Sequence, residues 1–89
     1  MTMAERIEVY EEIEKANRKN LMRMKVKALH TEMVMDGRMY EARKVLHFLR
    51  DGSVHLWLGD TDWAVECALT DIGYKPHYSR NGNTATIYA

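Results

Sequence analysis

The stretch from Arg50 to Tyr74, RDGSVHLWLGDTDWAVECALTDIGY, confines this chain more than any other, because it dictates a turn, a strand, a capped helix and a stop in succession. Asp51-Gly52 suits a tight turn, since both residues tolerate positive φ. Ser53 to Leu58 then alternates hydroxyl and imidazole side chains with Val54, Leu56 and Leu58, the pattern of a half-buried strand. Gly59-Asp60-Thr61 breaks that strand, and a helix is predicted from Asp62 to Ile72 with Thr61 or Asp60 as its N-cap. Asp62 and Glu66 put negative charge near the positive end of its dipole. Gly73 can take the left-handed position after the helix, and Pro76 prevents its resumption.

Eighty-nine residues make one domain, 1–89, of a size that buries roughly 60–65% of the unfolded chain's surface, so assembly with another chain would add useful stability. Hydrophobic residues at 46% and charged residues at 29% place it among globular proteins rather than disordered ones. The formal net charge is zero, so any attraction to nucleic acid, membrane or an acidic partner has to come from local clustering. Cys67 is the sole cysteine, which excludes an intramolecular disulfide and fits a reducing setting. The start, MTMAERIEVYEE, lacks the basic and apolar regions of a secretory signal, and no apolar run approaches about 20 residues. A cytoplasmic protein is expected, with no membrane partner.

Ala4 to about Asn17 reads as a helix, with Thr2 as a possible N-cap and Met3, Ile7 and Tyr10 on one stripe that Val9, Ile13 and Ala16 widen. Five Glu and one Arg occupy residues 1–14, whereas six Lys or Arg and no acid occupy 15–27. Glu before Lys suits the helix dipole, and a well-charged helix is the simplest account of this segregation. Asn17-Arg18-Lys19-Asn20 holds no apolar residue, and Asn17 falls on the stripe, so a stop or bend is predicted here.

Leu21 to Met35 has two readings. On a helix, Met22, Val26, Leu29 and Met33 share a face; on a strand, Met22, Met24, Val26 and Ala28 alternate with Arg23, Lys25 and Lys27. Arg38 to Arg50 shares the ambiguity: Met39, Ala42, Val45, Leu46 and Leu49 fit helical spacing, while a strand would hairpin onto Val54 to Leu58. A β-meander with both turns in register sets Glu32 opposite Glu41, which is unfavourable, and the helix propensity of 21–35 is high. Helices are therefore expected for both segments. After Pro76, the segments around Asn81-Gly82 read as a β-hairpin with a type I′ turn. The fold class is α+β: a long N-terminal helical region, then strand, helix and C-terminal β-hairpin, the strands forming a small antiparallel sheet covered by helices on one face.

Chemistry-bearing residues are scattered. His30, His47, His55 and His77 fall on separate elements without metal-ligand spacing, and only His47 and His55 could meet, under the hairpin reading. Cys67 sits mid-helix, away from a thiolate-stabilising N-terminus, and reads as a small buried hydrophobe. Asp60 and Asp62 flank Thr61 at a helix start, where capping accounts for both. No glycine pattern forms a phosphate loop, so neither cofactor, metal nor catalytic residue is expected.

Two features are more informative. The basic run Lys15, Arg18, Lys19, Arg23, Lys25 and Lys27 could meet a phosphate backbone or an acidic protein surface, although solvated helix surface is the simpler reading. Phe48, Trp57, Trp63, Tyr74, Tyr78 and Tyr88 cluster near the strand; most should be core in so small a domain, and any that are exposed mark a binding surface. The strand, helix and hairpin loosely resemble winged-helix proteins, but that fold needs two helices of a helix-turn-helix before its wing and one is found, which weakens a DNA-binding assignment.

The functional expectation is a small protein-binding module without catalysis of its own, acting by stoichiometric association as an accessory subunit or inhibitor. Its candidate contacts are Arg18, Lys19, Arg23, Lys25, Lys27, Phe48 and Trp57. A homodimer through the N-terminal helix is expected as well. The alternative is nucleic-acid binding by segment 15–27.

Overall fold

The computed structural model describes residues 2–59 and 62–89. In chain order the elements are α1 (Met3–Met35), α2 (Met39–Asp51), β1 (Ser53–Trp57), α3 (Asp62–Ile72), β2 (Pro76–Tyr78) and β3 (Thr84–Tyr88). The chain is thus α+β, and the helical reading of 21–50 holds in place of the meander.

Helix α1 is one uninterrupted rod of 33 residues, about 50 Å long. Thr2 caps it, its Oγ1 accepting from the Glu5 N–H at 3.2 Å. The predicted stop at Asn17–Asn20 does not occur. Two Asn among strong helix formers cost only about 0.5–0.7 kcal/mol each, and a segment that touches no core needs no apolar residue to continue. Every residue from Thr2 to Leu21 is exposed. Packing starts with half-buried Met22 and continues through Val26, Leu29 and Met33, the face expected for a helix.

The reversal into α2 depends on Gly37, at φ 76°. Its left-handed conformation lets the Arg38 N–H reach back to the Met33 carbonyl at 2.8 Å, which closes the last turn of α1. Helix α2 lays Ala42, Val45 and Phe48 into the core and ends at left-handed Gly52.

The sheet order is β1-β3-β2, with both pairings antiparallel. Its inner face contributes Val54, Leu56, Ala85 and Ile87, which meet Val65 and Leu69 of α3, Val45 and Phe48 of α2, and Val26 and Met33 of α1. Phe48 also packs edge-on against Tyr74, with ring centroids 4.8 Å apart. All three helices lie against this core on one side, leaving the outer face of the sheet open.

The β2–β3 loop departs from the type I′ expectation. Among the described residues only glycines have positive φ, so Asn81 is not left-handed and Gly82, at 74°, is. The connection is five residues, Ser79 to Asn83, and within it the Gly82 N–H donates to the Ser79 carbonyl at 3.0 Å. Asn81 Oδ1 accepts from the Ser79 hydroxyl at 2.8 Å and the Asn83 N–H at 3.1 Å, fixing the turn by side-chain bonds that a two-residue I′ turn would not need. The caps expected at Asp60 or Thr61 lie outside the described residues.

Candidate functional site

The residues singled out in sequence do not converge on one site. Phe48 is a core residue, 2% exposed, and is not available to a partner as expected; the helical spacing of α2 turns it inward with Val45. The basic residues Lys15, Arg18, Lys19, Arg23, Lys25 and Lys27 are all exposed, but on one continuous helix they spread over roughly 200° of its circumference. Arg23 Nη1 donates to the Leu49 carbonyl at 3.4 Å. With Lys19 and Lys75 it rims a groove of about 440 Å³ whose floor includes Met22, Phe48 and Tyr74. Burial pushes the Tyr74 phenol up, opposed by the nearby Arg23 charge.

The aromatic cluster divides in a way composition does not foretell. Trp57, Trp63, Tyr78 and Tyr88 are exposed, at 57–58%, rather than core. The strand pairing explains two of them. In register, His55 lies opposite Thr86, which has His77 on its other side, while Ser53 faces Tyr88 and Trp57 faces Thr84. Because side chains alternate across a sheet, the inward set Val54, Leu56, Ala85 and Ile87 forces Trp57, Tyr88, His55 and His77 onto the open face. His55 Nδ1 hydrogen-bonds the Thr86 hydroxyl at 2.9 Å. Its ring also meets Trp57 edge-on at 5.9 Å, and His77 meets Tyr88 at 5.6 Å. The result is a flat face of aromatic, imidazole and hydroxyl groups without a carboxylate or an ammonium among them. Sequence reasoning placed only Trp57 here; the alternation of Ser53–Leu58 and Thr84–Tyr88 carried the rest of the signal.

A second exposed apolar surface lies on α1. Met3, Ile7, Tyr10, Leu21, Met24 and Met35 are 52–81% exposed. At 100° per residue they form one stripe, roughly 130° around the helix from the Val26–Met33 face that packs on the domain.

Polar groups elsewhere have structural partners. Asp62 is fully buried in the first turn of α3. Its Oδ2 accepts from the Trp57 N–H at 2.9 Å and lies 3.7 Å from Lys44 Nζ, tying α3 to β1 and α2, while its Oδ1 has no partner among the described residues. Lys44 also lies over the Tyr40 ring. Cys67 is exposed rather than buried. Partial desolvation, its hydrogen bond to Glu66 and the charges of Glu66 and Asp71 push the thiol up, the opposite of nucleophile activation. His47 and His55 are apart: His47 pairs with Asp51 at 3.0 Å on α2, and His55 belongs to the sheet face. Among the described residues no group of three His, Cys, Asp or Glu side chains could hold a metal ion, and no helix is long and apolar enough to cross a membrane. Among the described residues one helix, α3, stands between β1 and β2, not the two of a winged helix.

No protein-family model matches the chain, and no curated protein or solved structure shows significant similarity to it.

Proposed function

We propose that this chain is a cytoplasmic protein-binding module that acts by stoichiometric association, as an accessory subunit or inhibitor of a larger protein, with no catalysis of its own, and that it self-associates through α1. The observation that carries the reading is the open face of the sheet. Trp57 and Tyr88 stand more than half exposed on a rigid three-stranded platform whose other face is packed into the core. Rigid aromatic side chains lose little conformational entropy on binding and supply large contact area, which is why they dominate interface energetics. The face has no fixed charge, so it suits a partner surface of apolar and hydrogen-bonding groups better than a phosphate backbone. The basic residues of α1, spread around the helix, offer no single track for phosphates, which favours protein over nucleic acid.

The test is capture of a stoichiometric partner from native extract by the tagged protein, repeated with a Trp57→Ala, Tyr88→Ala variant whose circular dichroism is unchanged. A specific partner is expected to be lost from the variant. Equal retention of that partner would place the contact elsewhere. Sub-micromolar, sequence-dependent binding of duplex DNA at 150 mM salt, lost in an Arg23→Glu, Lys25→Glu, Lys27→Glu variant, would replace this reading by the nucleic-acid one.

A further inference from the structure

We infer that α1 pairs with α1 of a second copy as an antiparallel two-helix coiled coil, with the two-fold axis between Lys15 and Ala16; this deepens the proposed self-association and rests on it.

The geometry begins with spacing. The exposed stripe recurs alternately four and three residues apart, from Met3 and Ile7 to Leu21, Met24 and Ala28, with Glu14 and Asn17 as its polar positions. That is a heptad seam, the pattern that packs helix against helix. The seam faces away from the domain, so a second helix can approach without displacing a core contact. It also answers a physical need: a helix segment of some 18 residues without tertiary contact is marginal in water, and packing of an apolar face is its usual source of stability.

Charge selects the direction. Among the described residues, none of the ion pairs involves α1. Glu8 and Glu12 lie one turn apart, as do Lys15 and Lys19, and such like-charge neighbours destabilise an isolated helix. A parallel dimer would set the five Glu of the first half against five Glu and put Glu14 against Glu14. An antiparallel dimer sets acidic half against basic half.

The seam then selects the register. With the axis between residues 15 and 16, Met3 meets Ala28 of the second copy, Ile7 meets Met24, and Tyr10 meets Leu21. The two polar positions, Glu14 and Asn17, meet each other at the centre, carboxylate against amide. Flanking the seam, Glu11 faces Arg18 of the second copy twice over. Arg6 facing Lys27 is the one like-charge pairing, and it lies at the exposed ends. Shifting by one heptad sets Glu14 against Met24 and Asn17 against Leu21 in one direction, and Glu14 against Tyr10 and Asn17 against Ile7 in the other, burying polar groups against apolar ones. Polar seam residues matched to each other are the usual device that fixes register.

Size-exclusion with light scattering on the full chain tests the dimer itself, and distances test its orientation. A spin label at Glu5→Cys in a Cys67→Ser background is placed opposite residue 26 of the second copy, so the two labels should sit about 32 Å apart along the axis. Both substitutions are at exposed positions. A charge-reversal pair sharpens the register. Glu11→Lys and Arg18→Glu should each weaken the homodimer, whereas an equimolar mixture should form a heterodimer with all four flanking charges matched. Tyr10→Glu with Leu21→Glu should raise the dimer dissociation constant on the order of 100-fold without loss of fold. A monomer at 100 μM overturns the self-association reading and this inference together. A dimer with labels under about 20 Å apart, or a mixture no tighter than either variant alone, overturns only the antiparallel register.

Discussion

The two halves of α1 share a backbone and a composition of strong helix formers, yet they stand in opposite relations to the rest of the molecule. From Thr2 to Leu21 every side chain is exposed, whereas Met22, Val26, Leu29 and Met33 enter the core in regular succession. The difference lies in reach. Helices α2 and α3 offer an apolar surface only about as long as α2 itself, and the first half of α1 extends past it. Local propensity therefore decides that a helix forms, while the extent of the domain decides which part of it is buried. The apolar residues of the outer half, such as Ile7 and Tyr10, are exposed rather than part of the core, and the self-association proposed above rests on them.

The largest effect expected separates the two halves directly. Met33→Ala removes a fully buried side chain where α1 meets the core and should cost about 2–5 kcal/mol, a large share of the stability of a domain this size. Ile7→Ala, about seven turns earlier on the same helix, should change monomer stability by no more than about 0.5 kcal/mol. Urea unfolding at submicromolar protein, with slopes compared to confirm a shared unfolding transition, measures both. Equal losses would mean that the outer half folds against the domain after all.

Much of this architecture is legible in the sequence, and the failures share a cause. Met22, Val26, Leu29 and Met33 share the face expected on the helical reading of 21–35, and the alternation of Ser53–Leu58 marks its strand, because each signal is local. The break expected at Asn17 assumed that a helix needs a continuous buried stripe; a helix projecting beyond its domain does not. Phe48 and Cys67 were exchanged between surface and core because helical phase relative to the core is set by packing partners, which no window of sequence contains. The aromatic sheet face was half legible: Trp57 was read as a contact, but Tyr88, His55 and His77 join it only through the pairing of β1, β3 and β2.

A middle-sized effect tests how that sheet is joined to the helices. Asp62 holds the Trp57 N–H and Lys44 from a fully buried position, so Asp62→Ala leaves a backbone donor and a cation without their acceptor. Loss of a charge-assisted hydrogen bond sets the cost at about 2–3 kcal/mol, below the 3–5 typical of a fully buried ion pair, because Lys44 is 29% exposed and can turn to water. The cost should exceed that of Ile7→Ala and approach that of Met33→Ala. Asp62→Asn, which keeps an acceptor for the Trp57 N–H, should recover part of it; no recovery would assign the loss to the Lys44 charge alone.

The smallest effect concerns an exposed side chain that, unlike those of the outer half of α1, is tethered. Tyr78 on β2 is 57% exposed, yet its hydroxyl donates to Glu66 Oε1 of α3 at 2.6 Å. That hydrogen bond to a carboxylate, with lesser help from desolvation and the negative charge of Glu66, pushes the phenol above its ordinary value. A phenol whose pKa is raised on folding stabilises the folded state while it is protonated. The contribution is therefore present throughout neutral pH and is lost only as pH rises above about 10, through the raised value. Ultraviolet difference titration of the unsubstituted protein against a Tyr78→Phe variant should place the Tyr78 transition above that of an ordinary phenol, and Glu66→Gln should bring it back toward the ordinary value. A Tyr78 transition that Glu66→Gln leaves unmoved would show that the α3–β2 tether does not hold in solution.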